Sequence, residues 1–211
     1  MEPFQPSLLD AGPTAFDAGF SHVQRIALDA TSWLELGRGW VTGADGLLEA
    51  VLAARDWGQR TRWMWDRRVP EPRLTDHWEL ASGAPLEPAA LEAVRQALST
   101  RYGVAFDSAG FNLYRDGRDG VAWHADRIAR EVAEPVIALL SLGSPRTLRL
   151  RRRGGGRSLA FPLGAGDLLV MGGTANLAWE HAVPKVARAG PRVSVAFRHG
   201  LDPRAYGRAR R

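Results

Sequence analysis

The chain contains no cysteine among its 211 residues. Disulfides and thiolate metal sites are thereby excluded, and any bound metal must rely on imidazole and oxygen donors. Lysine is almost absent as well: it occurs once, at Lys185, so arginine carries the positive charge. No run of about 18 consecutive apolar residues exists, and no association with a membrane is expected. Met1-Glu2-Pro3-Phe4 lacks the basic and apolar regions of a secretory signal, so the expected location is the cytoplasm. No internal repeat is visible.

What is present has the composition of a globular protein, long enough to bury one substantial core. The formal net charge is +5, which favours a polyanionic partner. An arginine-for-lysine bias with much Ala and Gly also follows from GC-rich coding, so charge alone assigns no partner. A monomer of one domain is expected.

Residues 1–20 hold Pro, Gly and unperiodic apolar residues and read as a loosely ordered lead. Leu28 to Trp40 reads as a short strand and turn. Asp45 is placed to cap a helix through Trp57, with Leu47, Leu48, Val51 and Leu52 on one apolar face and Gly58 as its stop. A second helix has Pro88 at its first position, carries Leu91, Val94, Leu98 and Tyr102, and stops at Gly103. Beyond it the texture changes to strands and glycine turns. Candidate strands are 110–115, 136–141, 147–152, 158–163, 167–171 and 192–198, with Gly154-Gly155-Gly156 as a hairpin turn. The pattern predicts a mainly β protein with flanking helices, of sandwich or barrel type. Within it, residues 1–104 form an N-terminal extension, 105–200 the β core and 201–211 a basic tail.

Residues 59–78 interleave basic residues with tryptophans: Arg60, Arg62, Trp63, Trp65, Arg67 and Arg68, then Arg73, His77 and Trp78. Such a segment can pair with phosphates and stack on bases. A strand with Trp63 and Trp65 facing the core and its arginines facing water fits the same pattern.

Of five histidines, His22 and His199 read as ordinary surface or core residues. His124 and Asp126 stand two apart, so on a strand they share a face and can reach one ion. His181, beside Trp179 and Glu180, can bring a second imidazole. Two His and one carboxylate leave the opposite face of a metal open, as in non-haem Fe(II) oxygenases. Arg192 opens the last strand, where Arg192, Ser194, Ala196 and Arg198 share one face and Val193, Val195 and Phe197 the other. A buried guanidinium there calls for a carboxylate, supplied by a structural ion pair or by a clamped dicarboxylic cosubstrate.

Six segments in order, Phe111-Asn112-Leu113-Tyr114-Arg115, Trp123-His124-Ala125-Asp126, Ser141-Leu142-Gly143, 166–171, 179–184 and 191–198, resemble AlkB-type Fe(II)/2-oxoglutarate dioxygenases. The likeness covers roughly residues 60–200, and 69–75 resembles the substrate lid of the animal repair members. It implies a double-stranded β-helix (jelly-roll) core with an N-terminal nucleotide-recognition lid. By it, His124, Asp126 and His181 bind Fe(II). Asn112, Tyr114, Arg192, Ser194 and Arg198 fall where the family contacts 2-oxoglutarate, although many members have Asn at the position of Ser194. Arg127 stands where several repair members carry an acid. The stretch from Thr75 to Leu86 is short for the family's aromatic hairpin, so Arg60, Trp63, Trp65, Arg73, His77 and Trp78 are the candidate substrate contacts.

The activity implied is demethylation of N-alkylated bases in DNA or RNA, consuming O2 and 2-oxoglutarate and releasing succinate, carbon dioxide and formaldehyde. The nucleic acid would be single-stranded or present a flipped base. Arg149, Arg151, Arg152, Arg153 and Arg157 can add phosphate contacts, or form a solvated hairpin. A 2-oxoglutarate oxygenase acting on a protein or small molecule is one alternative. A metal-containing nucleic-acid-binding module without catalysis is another.

Overall fold

A computed structural model describes residues 12–64, 66–126, 128 and 132–200. Before the second helix the strands are β1 (Ala15–Phe16), β2 (Gln24–Ala27), β3 (Ser32–Gly37), β4 (Val41–Thr42), β5 (Thr61–Met64), β6 (Arg67–Pro70) and β7 (Leu74–Glu79). After it come β8 (Ser108–Tyr114), β9 (Val121–His124), β10 (Ile137–Gly143), β11 (Arg146–Arg152) and β12 (Leu159–Leu163). The last are β13 (Leu168–Gly173), β14 (Trp179–Val183) and β15 (Arg192–Arg198), and the helices are α1 (Ala44–Ala54), α2 (Ala89–Tyr102) and α3 (Ala175–Ala178).

Two antiparallel sheets dominate. The larger runs β2-β3-β13-β10-β15-β8-β7 and the smaller β12-β11-β14-β9. Period-two alternation divides the larger sheet between two cores. Ala138, Leu140, Leu142, Val193, Val195, Phe197 and Phe111 pack with Leu47, Leu48 and Val51 of α1 and Leu91, Val94 and Leu98 of α2. The opposite residues, among them Ile137, Leu139, Leu169 and Met171, pack with Leu148, Leu150, Trp179 and Val183 of the smaller sheet. This is the jelly-roll arrangement expected, with helices covering one outer face. Every polar side chain on the inner face of β8, β10 and β15 is thus directed toward the smaller sheet.

The candidate strands of the β core all form, with ends shifted by a residue or two, and 154–156 joins β11 to β12. The larger sheet does not stop at residue 105, because β3 pairs with β13 and β7 with β8. Their apolar residues complete the inner and outer layers, so the N-terminal part is built into the sheet. Asp45 does not cap α1. Gly43, at φ 66°, takes that position and Asp45 lies buried in the first turn. A Cβ at Gly43 would meet the Gly12 and Pro13 carbonyls, so the close backbone approach selects glycine there over a capping side chain. The helix ends at Ala54 rather than Trp57, as Arg55 is extended. Pro88 is the N-cap of α2 rather than its first residue, and Gly103 is its C-cap at φ 66°. Of the lead, residues 15–16 form β1. Residues 1–11 and the tail 201–211 lie outside the described residues.

Candidate metal and dicarboxylate site

β9 and β14 are neighbours in the smaller sheet, and their register sets His124 opposite His181. The two rings lie 4.3 Å apart between centroids. Asp126, just past the end of β9, completes the group, and the candidate ligand atoms of the three residues all lie within 4.8 Å of one another. That spacing lets one ion touch all three. His124 Nδ1 is 2.9 Å from the Ala122 carbonyl. As the donor in that bond it directs Nε2 outward as a lone-pair donor, the usual way a backbone carbonyl fixes a ligating imidazole.

Asp126 is held from two sides. Its side chain, 8% exposed, receives Arg198 Nη2 at 2.7 Å. Its main chain is bracketed by Asn176, whose Oδ1 accepts the Asp126 N–H at 2.9 Å and whose Nδ2 donates to the Asp126 carbonyl at 3.0 Å. Burial alone would raise the Asp126 carboxyl, but Arg198, then His181 and His124, hold it down to about 2. Burial, reinforced by His124 and opposed by Asp126, pushes His181 down to about 4. Near neutral pH the group is therefore an ionised carboxylate beside a neutral buried imidazole, the forms a cation needs.

In the larger sheet, β8 and β15 pair so that Tyr114 is opposite Arg192, Asn112 opposite Ser194 and Gly110 opposite Ala196. Arg192 is 1% exposed. Its Nε donates to Ser141 Oγ at 3.1 Å, and its guanidinium lies 5.2 Å from the centre of the Tyr114 ring. Its Nη1 is buried without a hydrogen-bond partner, and no carboxylate among the described residues pairs with it. A buried, unsatisfied guanidinium N–H is costly unless an anion meets it. The donor set fits a dicarboxylate: a cationic fork, a hydroxyl and a phenol, on the strand whose other end, at Arg198, holds Asp126 of the metal-competent triad.

Asn112 Oδ1 accepts from Arg73 Nε at 2.9 Å, and Arg73 Nη2 lies 2.9 Å from Glu71. Glu71 also pairs with Arg62 of β5. Arg73 therefore turns inward toward Asn112 rather than out toward a substrate. Ser194 is buried beside Ser141 in register. His77, Trp78, Glu79, Ser108, Ala109, Gly110 and Arg198 border a small surface recess beside the Arg198–Asp126 pair.

The substrate candidates separate. Trp78 is 5% exposed in the helix-side core and donates its indole N–H to the Ala84 carbonyl at 2.8 Å, so it is a core residue. It alternates along β7 with the partly exposed His77, so the two side chains leave opposite faces of the strand. Trp63 is 69% exposed on the β5–β6 hairpin, 5.8 Å from the Arg68 guanidinium, and does not face the core. Arg60 leads into that hairpin. Trp65 and Arg127 lie outside the described residues. Several arginines of the second hairpin are engaged: Arg151 with Glu180 and Trp123, and Arg152 with Asp29 and Trp179. His22 is exposed, and His199 accepts the Val136 N–H at 2.9 Å.

Two supporting residues escaped the sequence reading. Asn176 sits in Thr-Ala-Asn-Leu, where nothing marks it. Gly110 had a signal, a glycine inside an apolar strand: a Cβ there would run into the Arg198 guanidinium, so the missing side chain makes room for the Asp126 partner.

Comparison with known proteins agrees with this geometry. Residues 49–203 match the family model described as the 2OG-Fe(II) oxygenase superfamily. The chain is 33% identical over 184 residues to human alpha-ketoglutarate-dependent dioxygenase alkB homolog 3, covering 78% of this chain and 64% of that protein. The Mus musculus protein of the same name is 33% identical over 185 residues, covering 78% and 65%. DNA oxidative demethylase ALKBH2 of Arabidopsis thaliana is 32% identical over 132 residues, covering 51% and 41%. The chain thus spans less than two thirds of the length of these relatives.

Proposed function

The chain belongs to the 2OG-Fe(II) oxygenase superfamily, and from that premise we propose that it oxidatively removes N-methyl groups from bases in DNA or RNA. The observation that carries this reading is the His124/Asp126/His181 group together with a buried Arg192 whose Nη1 has no partner, the two linked through β15 by the Arg198–Asp126 pair. The names of the relatives, a dioxygenase and a DNA oxidative demethylase, support it.

His124, Asp126 and His181 would hold Fe(II), leaving its opposite face to 2-oxoglutarate and O2. Bound there, iron with these cosubstrates supplies oxidising chemistry that turns 2-oxoglutarate into succinate and carbon dioxide and releases an N-methyl group as formaldehyde. Arg192 receives the distal carboxylate, with Tyr114 and Ser141 completing the donor set. Arg198 keeps Asp126 ionised and fixes its orientation, and Asn176 fixes the main chain that carries it. Asn112, oriented by Arg73, stands on the same inner face as Tyr114.

The substrate half of the reading rests on the β5–β6 hairpin. Arg62, Arg67 and Arg68 are exposed there around the outward Trp63, a surface suited to phosphates and to stacking on an unpaired base. Buried methyl groups within a duplex are out of reach of such a centre, so a single-stranded or flipped base is the substrate form.

The test is a panel of methylated and unmethylated oligonucleotides with succinate and formaldehyde measured together. Formaldehyde matching succinate, only with methylated strands, is expected. Succinate release that no oligonucleotide stimulates would transfer the reading to a protein or small-molecule substrate. Oligonucleotide binding without any 2-oxoglutarate turnover would leave a non-catalytic binding module.

A further inference from the structure

Arg146, at the start of β11, is a second buried guanidinium that the scheme above does not use. It is 3% exposed. Nη1 donates to the Asp116 carbonyl at 3.2 Å, and Nη2 to the Asp119 and Pro184 carbonyls, both at 2.7 Å. All three acceptors are neutral, so the bonds hold the side chain in place without cancelling its charge. Nε is buried with no partner. The nearby carboxylates form their close pairs with other residues, Asp119 with Arg115 at 2.8 Å and Asp116 with Arg118 at 2.7 Å, and act on Arg146 only from a distance.

The Arg146 guanidinium lies 5.5 Å from the centre of the Tyr114 ring, and that of Arg192 lies 5.2 Å from the same ring. One tyrosine ring is thus flanked by two buried cations, each with an unsatisfied N–H. A cation needed only for folding would be expected to face a carboxylate. We propose that Arg146 is a positioning residue whose charge, acting across Tyr114 beside Arg192, makes this pocket select a cosubstrate that carries a second carboxylate. The inference rests on the reading of the site as a 2-oxoglutarate site. Burial lowers the proton affinity of both guanidiniums; Tyr114 opposes this at both, Asp119 and Asp116 oppose it at Arg146, and Arg146 adds to it at Arg192, as neighbouring like charges do. An anion on Arg192 relieves both. Charge–charge energy falls only as the inverse of distance, so Arg146 contributes without touching the ligand.

The experiment compares 2-oxoglutarate with 2-oxopentanoate, which has the same five carbons and no distal carboxylate. Each would be titrated into the Mn(II)-loaded protein by calorimetry, the weaker one by displacement. Arg146→Gln should weaken 2-oxoglutarate about tenfold and 2-oxopentanoate less than about twofold, while Arg146→Lys keeps the wild-type ratio within about threefold. Equal weakening of both ligands, or no weakening of either, would show that Arg146 only braces its loops and would overturn the proposal. Should Arg146→Gln fail to fold, Asp119→Asn decides. Removing a negative charge near Arg146 should raise the preference for 2-oxoglutarate, and an unchanged preference overturns the proposal. A wild-type protein that binds neither ligand would instead defeat the 2-oxoglutarate reading itself.

Discussion

Arg198 is bound to a candidate metal ligand. By resemblance it belongs with the cosubstrate contacts, yet its Nη2 is 2.7 Å from Asp126. Replacing it by Met keeps the length of the side chain and removes the charge. Burial then dominates, the Asp126 carboxyl rises from about 2, and protons compete with the metal at higher pH. The sign is fixed, because losing an opposite charge favours the neutral acid. The acid limb of a Co(II) or Mn(II) binding curve should move up by roughly one to three pH units, and an unmoved limb would limit Arg198 to packing. None of this pairing was legible in the sequence. The His124–Asp126 spacing and the apolar strand around Arg192 marked these positions. Yet β9 ends at His124, so a shared strand face is not what brings Asp126 to the group; the Arg198 contact and the Asn176 clasp do that. Asn176 carried no such mark, because a side chain that clasps a backbone needs no particular spacing.

At the scale of elements, the β strands of the core were the readable part. Strands such as β10, β13 and β15 are buried on both faces and short, bounded by glycine turns. What alternation could not reveal is which face of β5 or β7 meets the protein, since either phase satisfies the pattern. The structure answers differently for the two tryptophans, and they should therefore behave differently. Trp78→Ala, made in a core, should cost about 3–5 kcal/mol of stability, and all activities should fall with it. Trp63→Ala, 69% exposed, should leave the melting curve unchanged. It should weaken a methylated oligonucleotide by roughly tenfold, the value of about 1–3 kcal/mol per stacked base, and spare 2-oxoglutarate oxidation in the absence of nucleic acid. Unaltered oligonucleotide binding in Trp63→Ala would remove the hairpin from the substrate surface.

For the molecule as a whole, the uncompensated charge at Arg192 ties ligand binding to stability. Only the folded state offers the pocket, so 2-oxoglutarate at one hundred times its dissociation constant should add about 2.7 kcal/mol to the metal-loaded protein. In Arg192→Ala the same concentration should add little, with metal binding retained. A full stabilisation there, measured by thermal melting with Mn(II), would make Arg192 an ordinary structural residue. The pairing of His124 with His181 carries a further consequence for how the chain matures. The two imidazoles come from strands far apart in sequence, and they meet only after β14 has docked between β9 and β11. Contacts of such long range form late and slowly in β proteins. A chain in which β14 has not yet docked therefore lacks the second imidazole of the three-donor group, so full metal affinity should appear only together with the native sheet.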